Sequence, residues 1–386
     1  MPESQPGKGI RDFGRDGEGP EKSGRYGLPI LLAGRNLPWL VAIGVVIAGV
    51  AIVFAYTAGW LSPGRLTQGR VIDRFQQVNG LHPGFRRNHA KGVCFTGWFD
   101  SDGTGQRLSS AVVFRPGRTP VFGRFALASG QPYQADGPAV VRSLAMNFAL
   151  RDGEIWRTGM INIPVFPVRD VQAFYDQLAA SAPDPTTGKP DPARMKAFLA
   201  AHPETASAIG LIKAQSFSSG FADASYNGLN AFRFVSAAGV STPVRWSLVA
   251  EDPFRPDTPS AAETGDTNYL FDDLVARVRK GQVRWRLVAV VGQPGDSTKD
   301  PTVPWPSGRE QVQLGVLTVD QLQDEAHGSC RDVTFDPLIL PSGIVASDDP
   351  ILSARSATYS TSFTRRAGEP KSLSAVRFPS GVEGGR

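Results

Sequence analysis

The sequence has few of the residues that build metal clusters or disulfide frameworks. Its 386 residues include two cysteines, Cys94 and Cys330, and four scattered histidines. No group of them has the spacing of a zinc site, so a metal site built from several histidines is not expected. Two cysteines allow one bridge at most, and the sequence leaves open whether they pair.

Charge is sparse as well. Charged residues make up 20% of the chain, the net charge is +5, and no stripe of alternating basic and aromatic residues occurs. Nucleic-acid binding is therefore not expected. Apolar residues make up 41%, which favours a packed core over global disorder.

One long run lacks charge altogether. "LPWLVAIGVVIAGVAIVFAYTAGW" (37–60) exceeds the roughly 20 apolar residues that cross a bilayer. The basic residues before it place that flank in the cytoplasm. We therefore expect a disordered cytoplasmic tail over 1–36, a transmembrane signal anchor over 37–60, and the rest of the chain on the periplasmic side. A cleaved signal peptide is the alternative, because "AYTAG" is also a cleavage context.

After the anchor, short β-branched and aromatic runs are broken by Gly, Asp and Pro, and helical patterns lie apart from them. This arrangement predicts an α+β fold with an antiparallel β-sheet or barrel and surrounding helices. We expect one domain over 61–366 and a flexible tail over 367–386.

A predicted helix near the end of the chain carries Arg355, Tyr359 and Arg366. At about 100° per residue these three lie on one face. A guanidinium beside Tyr359 favours the ionised phenolate, which is a hard anionic ligand for ferric iron. A solvated arginine beside a half-buried tyrosine remains the alternative on spacing alone.

Two distant segments together resemble one family. "RRNHAKG" (86–92) is similar to the distal-histidine segment of the haem catalases, and "FDPLILPSGIVASDDPILSARSATYSTSFTRR" (335–366) is similar to their proximal segment. Between them, "INIPVFPVRDVQAFYDQL" resembles the catalase N-x-P-x-F-F-x-R-D run. The chain most resembles the small exported catalase-related peroxidases, and this implies a catalase-like antiparallel β-barrel.

The resemblance implies a haem b cofactor and a role for several residues. Tyr359 would be the proximal iron ligand, Arg355 would hold its phenolate, and His89 would be the distal acid–base. Asn162 would be the asparagine that orients peroxide. The cofactor-binding residues would also include a phenylalanine on the distal face and three arginines that pair with the haem propionates: Phe174, Arg86, Arg124 and Arg366.

The sequence departs from the family pattern at three places. Ungapped register puts Ile161 at the distal asparagine position, and a one-residue bulge would bring in Asn162. The serine that usually orients the distal histidine is Ala126, and the second phenylalanine of the F-F pair is Pro167. We therefore expect a haem peroxidase that reduces hydrogen peroxide with an organic electron donor and has little catalase activity.

Two other functions are kept open. One is a catalase-like hydroperoxide isomerase or dehydratase, and the other is a non-catalytic haem-binding module anchored in the membrane. The expected partners are hydrogen peroxide, an organic electron donor and the membrane, and a homodimer is kept open.

Overall fold

The structure, a computed structural model, describes residues 36–61, 64–137, 141–257 and 267–378. The helices are α1 Leu37–Thr57, α2 Gln68–Asn79, α3 Val171–Ala180, α4 Pro192–Ala201, α5 Pro203–Ala214, α6 Tyr269–Lys280 and α7 Pro350–Ala367. The strands are β1 Gly92–Ser101, β2 Gly117–Leu127, β3 Arg142–Ala149, β4 Ile155–Ile161, β5 Tyr226–Asn227, β6 Phe232–Val235, β7 Ser241–Ala250, β8 Val283–Val291, β9 Gln311–Gln323 and β10 Ile344–Ala346.

Helix α1 forms a unit separate from the domain that begins at Leu66. It is long and apolar enough to cross a membrane by length and composition. Apart from Asn36, the tail expected over 1–36 lies outside the described residues.

The strands of the domain close into an antiparallel barrel. Strand β1 pairs with β2 on one side and with β9 on the other. The ring continues through β3, β4, β5, β7 and β8 back to β9, while β6 and β10 extend from β7. Closure leaves the eight ring strands without a free edge. The predicted fold class, an α+β barrel with surrounding helices, is confirmed.

Alternation along the strands separates an inner face from an outer face. In β3, Leu144, Met146 and Phe148 belong to the main hydrophobic core, together with the fully buried Trp156 and Trp285. The intervening positions of β2, β3 and β4 point outward. The outer face of these three strands lies near helices α2, α3 and α7, and the cavity described below lies there.

The two cysteines form a disulfide, which the sequence left open. Cys94 lies in β1, and Cys330 lies in the segment that follows β9. The bond therefore ties this segment to the barrel.

The chain beyond α7 differs from the flexible tail predicted over 367–386. Glu369 pairs with Arg87 and accepts a hydrogen bond from the backbone N–H of Gly84. Ser374 is buried and its hydroxyl accepts a hydrogen bond from a backbone N–H, and Val376 joins the main core. These contacts hold the chain as far as Phe378, although this stretch is polar and has no periodic pattern in the sequence. Residues 379–386 lie outside the described ranges.

Candidate active site

A cavity of about 440 Å³ lies against the outer face of β2–β4 and is bounded by residues of α2, α3 and α7. Almost every residue proposed from the sequence lines it. These are His89, Tyr359, Arg86, Arg124, Arg355, Arg366 and Phe174. Residues from the two ends of the domain thus meet in one place.

His89 lies in the loop before β1 and has a left-handed backbone, with φ 56°. A non-glycine residue rarely adopts this conformation, so the neighbouring chain must hold it. The backbone N–H of His89 donates to Asn88 Oδ1 at 3.0 Å, and the N–H of Ala90 donates to the carbonyl of Ser129 at 2.7 Å. Two residues on, the buried Lys91 pairs with Asp136. The loop is anchored on both sides of His89.

The imidazole of His89 is held by a serine. Ser143 Oγ lies 3.1 Å from His89 Nδ1, and its hydroxyl donates to the carbonyl of Ala126 at 3.3 Å. Because that proton is committed, the oxygen accepts from Nδ1–H, and Nε2 is left as the basic nitrogen. Ser143 was not predicted from the sequence, which showed only that alanine stands at position 126 in place of the family's usual serine.

Strand register explains how Ser143 replaces the expected serine. Ala126 in β2 is opposite Ser143 in β3, which is opposite Ile161 in β4. Directly opposite residues share a face and lie side by side. The hydroxyl is therefore supplied by the neighbouring strand, between the two positions where the sequence departs from the family pattern.

The site keeps His89 neutral. Burial lowers the pKa of His89 to about 3, and the positive charges of Arg124, Arg355 and Arg86 act in the same direction. A hydrogen bond with the backbone of Leu127 opposes the shift but is the smallest of these effects. The imidazole is therefore a free base throughout the neutral pH range.

The structure corrects the expected position of Asn162. Its side-chain oxygen accepts a hydrogen bond from the backbone N–H of Arg142 at 2.8 Å, and it is not among the residues that line the cavity. Ile161 lines the cavity instead. Strand β4 runs to Ile161 without the bulge that would have turned Asn162 inward.

The rest of this wall is apolar. Phe174 lies in α3, and its ring centroid is 5.6 Å from that of Phe75 and 6.2 Å from that of Phe166. Ile161 and Pro167 complete the wall. Such a surface offers a flat ligand apolar contact within the cavity that His89 also lines.

Helix α7 carries Tyr359. Its N-terminus is capped by the carboxylate of Asp349, which accepts from the backbone N–H of Ile351 at 2.9 Å, and a proline follows the cap. Arg355 donates to the hydroxyl of Tyr359 at 3.2 Å, as the helical spacing predicts.

The same arginine has a second partner that the sequence did not reveal. Arg355 Nη1 lies 2.5 Å from Asn230 Oδ1, and Asn230 Nδ2 lies 2.7 Å from Asp349 Oδ2. The guanidinium is therefore fixed from the barrel side while it faces the phenol oxygen.

The donor set fits a flat, dianionic, iron-containing cofactor. A phenol oxygen beside a guanidinium, an imidazole and three further guanidiniums line one apolar cavity. The Nε of Arg86 is buried and makes no hydrogen bond, and the Glu325 carboxylate lies 3.6 Å from it. This one carboxylate balances only part of the positive charge of the three arginines Arg86, Arg124 and Arg366. Tyrosine ligation of haem iron is known from catalase.

Comparisons with known proteins identify one family. The family model described as Catalase matches residues 55–375. A catalase-related peroxidase of Synechococcus elongatus is 33% identical over 338 residues, which cover 87% of this chain and 98% of that protein. A catalase-related peroxidase of Mycolicibacterium paratuberculosis is 33% identical over 313 residues, which cover 81% of this chain and 98% of that protein.

Solved structures show the same fold. The crystal structure of a fungal catalase superposes with a TM-score of 0.66 at 19% identity, over 74% of this chain and 60% of that one. The structure of a bacterial catalase gives a TM-score of 0.64 at 20% identity, over 74% and 58%. The relatives indicate an oxidoreductase that acts on peroxide. The chain belongs to the catalase family.

Proposed function

We propose that this protein is a haem b-dependent peroxidase that reduces hydrogen peroxide, and organic peroxides, with an organic electron donor. One observation carries the proposal. His89 and Tyr359 line the same cavity, together with three arginines that could pair with the cofactor's carboxylates. Tyr359 is proposed as the iron ligand and His89 as the acid–base.

When bound, the haem would supply the redox centre for cleavage of the peroxide bond. The chain's own residues move the proton. Neutral His89 takes a proton from one peroxide oxygen at Nε2 and returns it to the other oxygen, which leaves as water or alcohol. Ser143 holds the ring so that Nε2 is available. Arg355 donates a hydrogen bond to the oxygen of Tyr359 and would offset the negative charge that this oxygen would carry as an iron ligand.

Dismutation of peroxide needs a second peroxide molecule held in a defined orientation, whereas peroxidation needs only electrons from a donor. Ile161 offers no hydrogen bond where the family's asparagine would. We therefore propose that peroxidation dominates and that catalase activity is weak.

We also propose that α1 anchors the protein in a membrane, with the domain on the extracytoplasmic side. The apolar composition of α1 and the basic flank before it support this orientation. The disulfide supports an oxidising compartment. A cleaved signal sequence is the alternative, and N-terminal sequencing of the mature protein distinguishes the two.

The test is an absorption spectrum of the purified protein before and after the addition of peroxide, with and without a phenolic donor. We expect a ferric haem spectrum that peroxide changes and that the donor restores. A His89→Ala variant should keep the haem and lose the response. A protein that binds no added haem would refute the proposal, and a response to lipid hydroperoxide alone would favour an isomerase or dehydratase.

A further inference from the structure

The segment Asp324–Phe335, called here the clamp segment, supplies the hydrogen-bond partners found for Arg86. One terminal nitrogen of Arg86 donates to the carbonyls of Cys330 at 2.9 Å, Arg331 at 3.3 Å and Val333 at 2.9 Å. Its Nε lies 3.6 Å from Glu325 Oε1. The position of Arg86 at the cavity wall therefore depends on this segment.

The other two arginines proposed for the propionates depend on the same segment. Glu325 accepts two hydrogen bonds from Arg124, at 2.7 Å to Nε and 2.8 Å to Nη2. Arg366 donates to the carbonyl of Arg331 at 2.7 Å. The three arginines line the cavity, whereas Glu325 is not among the lining residues and supports them from behind.

The charges of this group leave an excess that suits a dianion. Three guanidinium cations and one carboxylate carry two net positive charges. Burial, and then Arg124 and Arg366, lower the pKa of Arg86 to about 9. Arg86 is therefore still cationic near neutral pH, and a ligand with two carboxylates would relieve the mutual repulsion.

The disulfide anchors the clamp segment close to two of these arginines. Cys94 in β1 is directly opposite Arg124 in β2. Cys330, its disulfide partner, contributes one of the carbonyls that hold Arg86. Gly328 allows the close approach, because a Cβ there would lie 2.5 Å from Cys94 Sγ.

We propose that the Cys94–Cys330 disulfide is a positioning element for the cofactor's carboxylates. It holds the clamp segment in place, and the clamp segment orients Arg86, Arg124 and Arg366 toward the cavity. When the disulfide is reduced, the carbonyl acceptors and Glu325 become mobile, and the cofactor dissociates faster. This inference rests on the proposed haem site and adds to it a dependence on the redox state of two cysteines.

The test uses the full chain in detergent, loaded with haem, and measures transfer of haem to an excess of an apo-globin acceptor. The disulfide is removed in two independent ways. In one, dithiothreitol gives two electrons and two protons to form two thiols, becomes a cyclic disulfide itself, and is then removed by desalting. In the other, Cys94 and Cys330 are both replaced by serine, and circular dichroism checks that the variant is folded.

We expect transfer to be about tenfold faster or more without the disulfide, equivalent to the loss of one charge-assisted hydrogen bond. The control is haem dimethyl ester, which has no free carboxylates. Its transfer should be unchanged by reduction, because it makes no ion pair with the arginines. This control separates an effect on the arginines from a general loosening of the fold.

Each outcome decides the proposal. Faster transfer of haem but not of the diester supports it. Equal acceleration of both ligands overturns it, because the disulfide would then stabilise the fold alone. Unchanged transfer of haem also overturns it. If the oxidised protein binds neither ligand, the proposed haem function fails, and this inference fails with it.

Discussion

Ser143 Oγ lies 3.1 Å from His89 Nδ1, although the two residues are on different elements and 54 positions apart. Its hydroxyl is fixed in turn by the carbonyl of Ala126. The hydrogen bond sets which imidazole nitrogen is basic, so it links the barrel register directly to the proposed acid–base chemistry.

Ser143→Ala should lower the rate of reaction with peroxide about tenfold, because an unheld imidazole spends less time in the productive orientation. Haem content should not change. Stopped-flow absorbance across a pH series measures both the rate and its pH profile. Restoring a hydroxyl from the adjacent strand, with Ala126→Ser in the Ser143→Ala background, should recover most of the rate. If Ser143→Ala alone kept the rate and the pH profile of the parent, Ser143 would not position His89.

Ile161→Asn should increase oxygen release from peroxide relative to donor oxidation. The amide could bind the second peroxide at the wall where isoleucine now lies. One such hydrogen bond should raise the ratio of oxygen evolution to donor oxidation about tenfold. The ratio of oxygen evolution to donor oxidation is the measurement.

The matched control is Asn162→Ala, which leaves the backbone N–H of Arg142 without its acceptor. It should reduce the stability of the fold by about 1–3 kcal/mol and leave that ratio unchanged. If Asn162→Ala changed the ratio and Ile161→Asn did not, the assignment of the two residues would have to be exchanged.

Arg355→Gln should alter the absorption spectrum of the haem-loaded protein and weaken haem binding about tenfold or more, because the Tyr359 oxygen loses a charge-assisted hydrogen bond. Arg365→Gln on the same helix is the control, since Arg365 contacts Asp73 and Gln76. Absorption spectra and haem titrations of both variants measure the two effects. An unaltered spectrum in Arg355→Gln would show that the guanidinium does not act on the ligand.

Helix periodicity and local motifs made part of this site predictable. The pairing of Arg355 with Tyr359 follows from their spacing of four on one helix, and the strand runs that form the barrel are readable from alternation. The closure of the barrel and the choice between Ile161 and Asn162 depend on register between strands. No single segment encodes that register.

Residues that act through long-range contacts were not predictable. Ser143 is an ordinary strand residue until Ala126 is known to lie beside it. Glu325 and Asn230 lie in stretches with no periodic pattern, and their roles appear only when the distant arginines are in place. The ordered chain after α7 was missed for the same reason.

Glu325→Gln should destabilise the haem-free protein by about 3 kcal/mol or more, because the buried Arg124 then loses its carboxylate partner and no carboxylate offsets the charges of Arg86 and Arg366. Haem should restore part of the loss, since two propionates supply negative charge at the same place. The rise in melting temperature on haem binding should therefore be larger in the variant than in the parent. Glu310→Gln, which removes a carboxylate from an exposed pair with Arg107, is the matched control and should show no such difference.

The pH dependence of stability is a second test of the role of Glu325. Burial opposes ionisation of Glu325, but Arg124, and then Arg86 and Arg366, hold its pKa below the usual carboxyl range. A depressed folded-state pKa stabilises the fold above the unfolded value of about 4.3, and this contribution is lost as the pH falls through the folded-state pKa. The difference in unfolding free energy between the parent and Glu325→Gln should therefore be largest near neutral pH and decrease in acid. Denaturant titrations at a series of pH values measure it, and a difference that stayed constant into strong acid would show that Glu325 is not the ionised partner of the arginines.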